Sequence, residues 1–265
     1  AVVDDGGALG EASVRVAAGR PAELVRADLR AVPGDVTLAR GRLYADVPVA
    51  VTLLPYPTSE GLDARDQLHY VSLGAIAVHA AQVRGVQLGT AAATTRDGLD
   101  GVQLSGGLAY TGGTARGLQL APITSAAQLR GVQLGVVNVA GDHRGLSLGV
   151  VHVSRTSRGV PLALVPVVGD GMHHAELWAG TDGQVYVGGK LGSRRVYTQY
   201  AAGLGRLGPS LGLGFGLRAS GRGGWRVDVD ALHVLTGWTD ALDWRPALRV
   251  TVARPLRGEH FAPFV

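Results

Sequence analysis

The sequence predicts an all-β protein: a short-period β-solenoid followed by an antiparallel β-meander, with a small strand–helix–strand segment at the N-terminus. Three observations lead there. A unit of the form GVQLG recurs six times, beginning at Gly85, Gly101, Gly117, Gly131, Gly145 and Gly159. Its spacing is sixteen residues twice and then fourteen three times, periods that suit stacked β-coils burying their surface against neighbouring coils. Beyond about Gly169 the pattern changes to longer period-two segments with short turns, as in an antiparallel sheet. Finally, the 41 glycines follow no Gly-X-Y period and fall at fixed repeat positions, which marks turns and close backbone approach rather than collagen.

Taken in order, residues 1–11 form an acidic start and Ser13–Gly19 a short alternating strand. A helix is expected over Pro21–Val32, with proline in its first turn and Pro33–Gly34 as its stop. Asp35–Tyr56 reads as one or two strands, Tyr56–Asp66 as a polar loop, and the repeats run from His69 to about Gly169. The expected domains are 1–46, 47–172 (leading strand and repeats) and 173–265 (meander).

A straight strand through Gly131–Arg144 gives neither face enough polarity for a barrel lumen. A corner at Gly135–Val136 instead turns Val132, Leu134, Val137 and Val139 inward, and Gln133 and Asn138 outward. The same phase places Leu146, Leu148, Val151 and Val153 inside the next coil, then Val160, Leu162, Val165 and Val167. Ser147, His152, Pro161 and Pro166 then lie outside, while Leu118, Leu120 and Ile123 lie inside an earlier coil. The sixteen-residue units add one residue at the corner and one in the turn. Val136, Val150 and Leu164 are left as apolar corner residues. The alternative is a closed antiparallel barrel of eight segments, whose apolar face Arg218 and His233 interrupt.

In the meander, Leu211, Leu213, Phe215 and Leu217 share one face, and Trp225, Val227 and Val229 oppose Arg226, Asp228 and Asp230. The meander is expected to cap the last coil, with Leu211–Leu217 and Trp178, Trp225, Trp238 and Trp244 as cover.

Composition excludes several classes. The chain has no cysteine, hence no disulfide framework or cysteine zinc site. Lys190 is its only lysine, and its arginines are dispersed, so nucleic acid is not an expected partner. No apolar run is long enough for a membrane helix. The AVVDD start reads as a chain from which a signal peptide has been removed.

The stretch GVQLGVVNVAGDHRGLSLGVVHVS resembles the surface-repeat proteins of Gram-negative bacterial envelopes, whose units look like GLQLGLVNVAGDVR. The resemblance extends to VPVAVTLLPYPTSEG, QLHYVSLGAIAVHAAQVRG, GVPLALVPVVGDG and the downstream strands, over roughly residues 47–265. It implies an envelope location and no activity.

Five arginines precede a repeat glycine: Arg84, Arg116, Arg130, Arg144 and Arg158, with Asp100 replacing one in the second unit. Stacked, they would form a surface ladder able to meet anionic glycan or lipopolysaccharide phosphate, or a row of solvated turn charges that keeps neighbouring molecules apart. Gln87, Gln103, Gln119 and Gln133 form a second ladder, read as structural. His173, His174 and Glu176 cluster, but adjacent histidines on a strand face opposite ways and make no tripod. Asp97 and Asp100 read as a turn, and no GxSxG-type signature frames a nucleophile. No catalytic residue, metal site or cofactor is therefore expected. The expected function is a non-enzymatic surface or outer-membrane-associated structural protein, self-associating or adhesive, meeting other copies, the outer membrane or anionic glycan. The alternatives are a transmembrane β-barrel and a carbohydrate-active β-helix enzyme.

Overall fold

The computed structural model describes residues 14–16, 36–39, 42–53, 67–181, 183–206, 208–221, 224–237, 243–254 and 264. They form a parallel β-solenoid of about seven turns followed by an antiparallel sheet, without a helix and without a closed barrel. The helix expected over residues 21–32 lies outside the described residues. Two compact units are distinguished, Ala1–Arg130 and Gly131–Val265.

In the first unit β1 (Val14–Val16) pairs in parallel with β2 (Val36–Ala39), and β2 pairs antiparallel with β3 (Arg42–Thr52). The coils follow as β4 (Gln67–Gly74), β5 (Ala77–Gly89), β6 (Ala92–Ser105), β7 (Leu108–Leu120) and β8 (Ile123–Leu129), each parallel to the one before. The repeat glycines hold the stacking. Gly85, Gly101 and Gly117 are in register, and Gly101 has φ 148°. A Cβ there would lie 2.0 Å from the Gly85 carbonyl oxygen, so only glycine lets the backbones approach this closely.

Two residues along stands the glutamine, and it points inward. Gln87, Gln103 and Gln119 are in register and at most 1% exposed. Gln103 Nε2 donates to Gln87 Oε1 (2.7 Å) and across the coil to the carbonyls of Ala93 (3.0 Å) and Tyr110 (3.2 Å). Its Oε1 accepts from Gln119 Nε2 at 2.8 Å. The opposite wall is built from small side chains, Ala93, Thr95, Ala109 and Thr111, all buried. Thr95 donates to Thr111 Oγ1 at 3.0 Å.

The expected phase is therefore reversed. Leu120 and Ile123, expected inside, are exposed, as are Val86 and Leu88. The cause is the narrowness of a two-sided coil. Facing leucines and valines would overfill it, whereas one extended amide spans the gap and bonds the backbone of the far wall, so its burial carries no unmet hydrogen bond. The extra residues of the longer coils lie where the sequence placed them. Leu104 pairs with Leu120 and Leu108 with Ile123, one residue more at the corner. The second extra residue shifts the register between Thr111 and Thr114.

The second unit repeats this plan in β9 (Val132–Leu134), β10 (Val137–His143), β11 (Leu146–Ser157) and β12 (Val160–Val168), where β11 pairs in parallel with all three others. The break at Gly135–Val136 is the expected corner, and Val136, Val150 and Leu164 are its exposed apolar residues. Here too the phase is opposite to expectation. Gln133, Asn138, Ser147 and His152 are fully buried, and Pro161 and Pro166 are buried with them. Leu148, Val153, Val160, Val165 and Val167 are exposed, and Val132, Leu134, Val137, Val139, Leu146, Val151 and Leu162 only partly covered. Asn138 Nδ2 closes its corner by donating to the carbonyls of Leu148 (2.9 Å) and Gly135 (3.3 Å).

The antiparallel sheet of this unit runs in sequence order through β13 (Met172–Ala179), β14 (Gln184–Gly192), β15 (Val196–Gly205), β16 (Ser210–Ser220), β17 (Arg226–Thr236) and β18 (Asp243–Ala253). It meets the last coil as a cap: Thr198 Oγ1 donates to the Ala163 carbonyl at 2.6 Å, and Tyr200 Oη donates to that of Leu164. The chemistry of the cap differs from the expected apolar cover. Leu211, Leu213, Phe215, Leu217, Trp225 and Trp244 are exposed, Trp178 stacks on Tyr186, and Trp238 lies outside the described residues. A coil end presents backbone carbonyls, and polar side chains satisfy these where aliphatic ones cannot.

Gln103→Glu should be severely destabilising, by about 3 kcal/mol or more, because a carboxylate cannot donate to Gln87, Ala93 or Tyr110 and would be buried unpaired. Leu120→Gln, on the outer surface, should change stability by less than about 1 kcal/mol. Urea unfolding followed by circular dichroism checks the ranking.

Candidate functional site

The densest gathering of chemistry-bearing side chains lies on one face of the antiparallel sheet. Lys190 Nζ on β14 contacts Asp228 Oδ2 (2.6 Å), Glu176 Oε1 (2.9 Å) and Asp230 Oδ2 (3.2 Å). Arg218 on β16 grips Asp228 with two bonds of 2.7 Å. Arg249 on β18 contacts Glu176 Oε2 (2.6 Å) and Asp230 Oδ2 (2.8 Å). Tyr197 donates to Asp230 Oδ1, and the Lys190 ammonium lies 4.8 Å from the Tyr197 ring centre. The Arg249 guanidinium stands 4.3 Å from the Trp178 ring. Strands in a flat sheet are about 4.8 Å apart, so direct contact between β14 and β17, and between the edge strands β13 and β18, requires the sheet to curl around this face.

Three cations face three carboxylates, so the cluster is internally neutral. Burial alone would raise the Asp228 carboxyl, but hydrogen bonds from Arg218 and Lys190 hold it down to about 2. Burial and the bond to Asp230 push the Tyr197 hydroxyl above its ordinary range. Lys190 and Asp230 are fully buried. A substrate cannot reach them, and each charge is matched by a partner of this same sheet. The cluster acts as an internal ionic lock.

The alternation of β17 sets Asp228 and Asp230 opposite Val227 and Val229 without showing that they meet Lys190. Arg218, expected to interrupt an apolar face, lies on the ionic face; His233 does stand on the outer one. Two signals are present in the sequence: the chain's only lysine at Lys190, and charges at the alternate positions Arg226, Asp228 and Asp230 of β17.

Within the coils, serines and histidines meet. His143 contacts Ser157 Oγ through Nδ1 (2.8 Å) and Ser147 Oγ through Nε2 (3.1 Å). His152 contacts Ser154 at 3.1 Å, and the two rings lie 4.6 Å apart. Both histidines are fully buried. Burial lowers His143 to about 4, against a smaller opposing pull from Asp142. Burial, followed by repulsion from His143, lowers His152 to about 3.

The arginine row is broken by its own counter-charges. In the first unit Arg84 pairs in register with Asp100, and Asp100 with Arg116, whose guanidinium is 3.6 Å from that carboxylate. Arg130 is exposed on the following coil. In the second unit Arg144 binds Asp142 at 2.7 Å, and Arg158 is exposed. His173 and His174 do face opposite ways. His173 is exposed and contacts the Val168 carbonyl (2.9 Å), while His174 contacts Arg218 (3.1 Å) on the ionic face with Glu176. Asp97 is held by Arg96 (2.9 Å) and Tyr44 (3.0 Å). An open cleft along the first unit's corners is lined by Leu88, Leu104, Leu120, Thr90, Ser105 and glycines, and carries no ionisable side chain.

No protein-family model matches the chain, and neither does any curated protein or solved structure.

Lys190→Met should destabilise the second unit by about 3–5 kcal/mol, since it leaves buried carboxylates short of a cation; urea unfolding measures this. Acid should weaken the coils. His143 and His152 stay neutral when folded but take up protons near pH 6.5 when unfolded. Their stabilisation is thus complete above about pH 6.5 and is lost as the pH falls toward 4 and 3. The melting temperature should drop between pH 7.5 and 4.5, and drop less in His143→Gln/His152→Gln.

Proposed function

We propose that the chain is a non-enzymatic structural protein of the bacterial envelope, carried at the cell surface or on the outer membrane. The observation that supports this is where the polar side chains go. The glutamine ladder, the serine–histidine contacts and the ionic cluster are all buried and bonded to the fold itself, whereas catalysis needs unlike groups converging on an accessible point. The likeness of the repeat to envelope surface-repeat proteins supports the location. Self-association or adhesion fits an architecture of exposed sheet edges. The arginine row fits turn charges that hold neighbouring molecules apart better than a glycan ladder, because Asp100 and Asp142 already neutralise part of it.

Fractionation of the cells that produce the protein provides the test. The protein should sediment with the outer membrane and be cleaved by protease added to intact cells. Recovery in the cytosol, or full protection from the protease, would overturn the proposal.

A further inference from the structure

We infer that the outer face of the antiparallel sheet is a lipid-facing surface, taking the acyl chains of a bilayer with anionic headgroups at one rim. The sheet is polar inside and apolar outside, the reverse of a sheet built for water. Its buried face holds Glu176, Lys190, Asp228, Asp230 and Arg249. Its outer face presents Leu177, Val187, Leu204, Phe215, Val229 and Leu248, at exposures from 40% to 74%. Across β16 to β18 these residues align, Leu217 with Val229 and Val229 with Val250, so the apolar surface is a band over those three strands, while Thr198 and Tyr200 on the same face of β15 hold the last coil.

The rims match a bilayer in charge and in aromatic placement. Trp225 precedes β17 at one rim, while Trp244 pairs with Leu235 near the opposite rim, and both are exposed. Tryptophan belongs at the two membrane–water interfaces. The Trp225 rim also gathers Arg194, Arg195, Arg226 and Arg254, and the Arg254 guanidinium lies 5.5 Å from the Trp225 ring. A cluster of arginines beside an apolar band complements anionic headgroups. Strands β14 to β18 are nine to eleven residues long, the length of tilted membrane strands. Unpaired sheet edges are costly in lipid. The Arg249–Glu176 ion pair (2.6 Å) draws the edge strands β13 and β18 together on the polar side, but among the described residues no backbone bonds join them, and their edges are left to the polar margin of the bilayer. This deepens the envelope reading by naming the surface that meets the membrane, and it is tested on purified protein, so localisation and lipid binding can fail separately.

The full chain is mixed with unilamellar vesicles of phosphatidylcholine, with and without phosphatidylglycerol, and floated on a density gradient. It should float with both, and roughly tenfold more strongly with phosphatidylglycerol at low salt. Leu248→Asp/Val250→Asp should abolish flotation, and Arg194→Glu/Arg195→Glu should remove only the phosphatidylglycerol preference. Acyl-brominated phosphatidylcholine should quench the wild-type tryptophan fluorescence, and quench Trp225→Phe/Trp244→Phe much less, a readout independent of whether the aspartate variant folds. Absence of flotation and quenching overturns the inference. So does a dimer in vesicle-free sedimentation that Leu248→Asp/Val250→Asp dissociates without any lipid binding, which would make the face an interface between two copies.

Discussion

The constraint on which the coils depend is their width. A glycine at the start of each repeat brings successive backbones into direct contact, as at Gly101 against Gly85, and the two walls of a coil lie so close that a single side chain fills the space between them. Gln103 does this with one amide, bonding the coil below, the coil above and both far-wall carbonyls. A leucine of similar size would leave the Ala93 and Tyr110 carbonyls without this donor, an omission that costs more than its apolar burial returns. Once the amide is inside, strict alternation sends the flanking valines and leucines out.

The antiparallel sheet reaches the same inversion by ions. Its interior is lined by Lys190, Arg218, Arg249 and three carboxylates, and glycines at Gly214 and Gly216 leave room on that face. A Cβ on Gly216 would meet the Tyr197 ring at 2.2 Å, so the glycine alternation of β16 makes space for the aromatic that carries Asp230. Buried ions stabilise only when fully matched, and the bidentate grip of Arg218 on Asp228 supplies that match. The result is a sheet whose outer surface over β16 to β18 is largely apolar, with His233 as a polar exception, and the proposed meeting with lipid follows from it.

Much of this was legible in the sequence. The period gave the stacking, Gly135–Val136 the corner, the sixteen-residue units their two insertion points, and the alternation beyond Gly169 the antiparallel sheet. The phase was not legible, because a period of two names two faces without saying which is buried. Hydrophobicity alone points Val132 and Leu134 inward, although Gln133 occupies the interior. The ionic cluster is not legible for the same reason: alternation separates Asp228 and Asp230 from Val227 and Val229, and only the fold brings Lys190, far away in the chain, opposite them. The cap was legible in place but not in chemistry, since Thr198 and Tyr200 serve carbonyls that only the folded coil end presents.

Hydrogen exchange of the glutamine side-chain amides tests the central claim most directly, measured by nuclear magnetic resonance on the unmodified protein. The amides of Gln87, Gln103 and Gln119 should exchange as slowly as the backbone amides of the strands that carry them. Exchange at the rate of free glutamine would place them in solvent and contradict the polar interior on which the rest of the account stands.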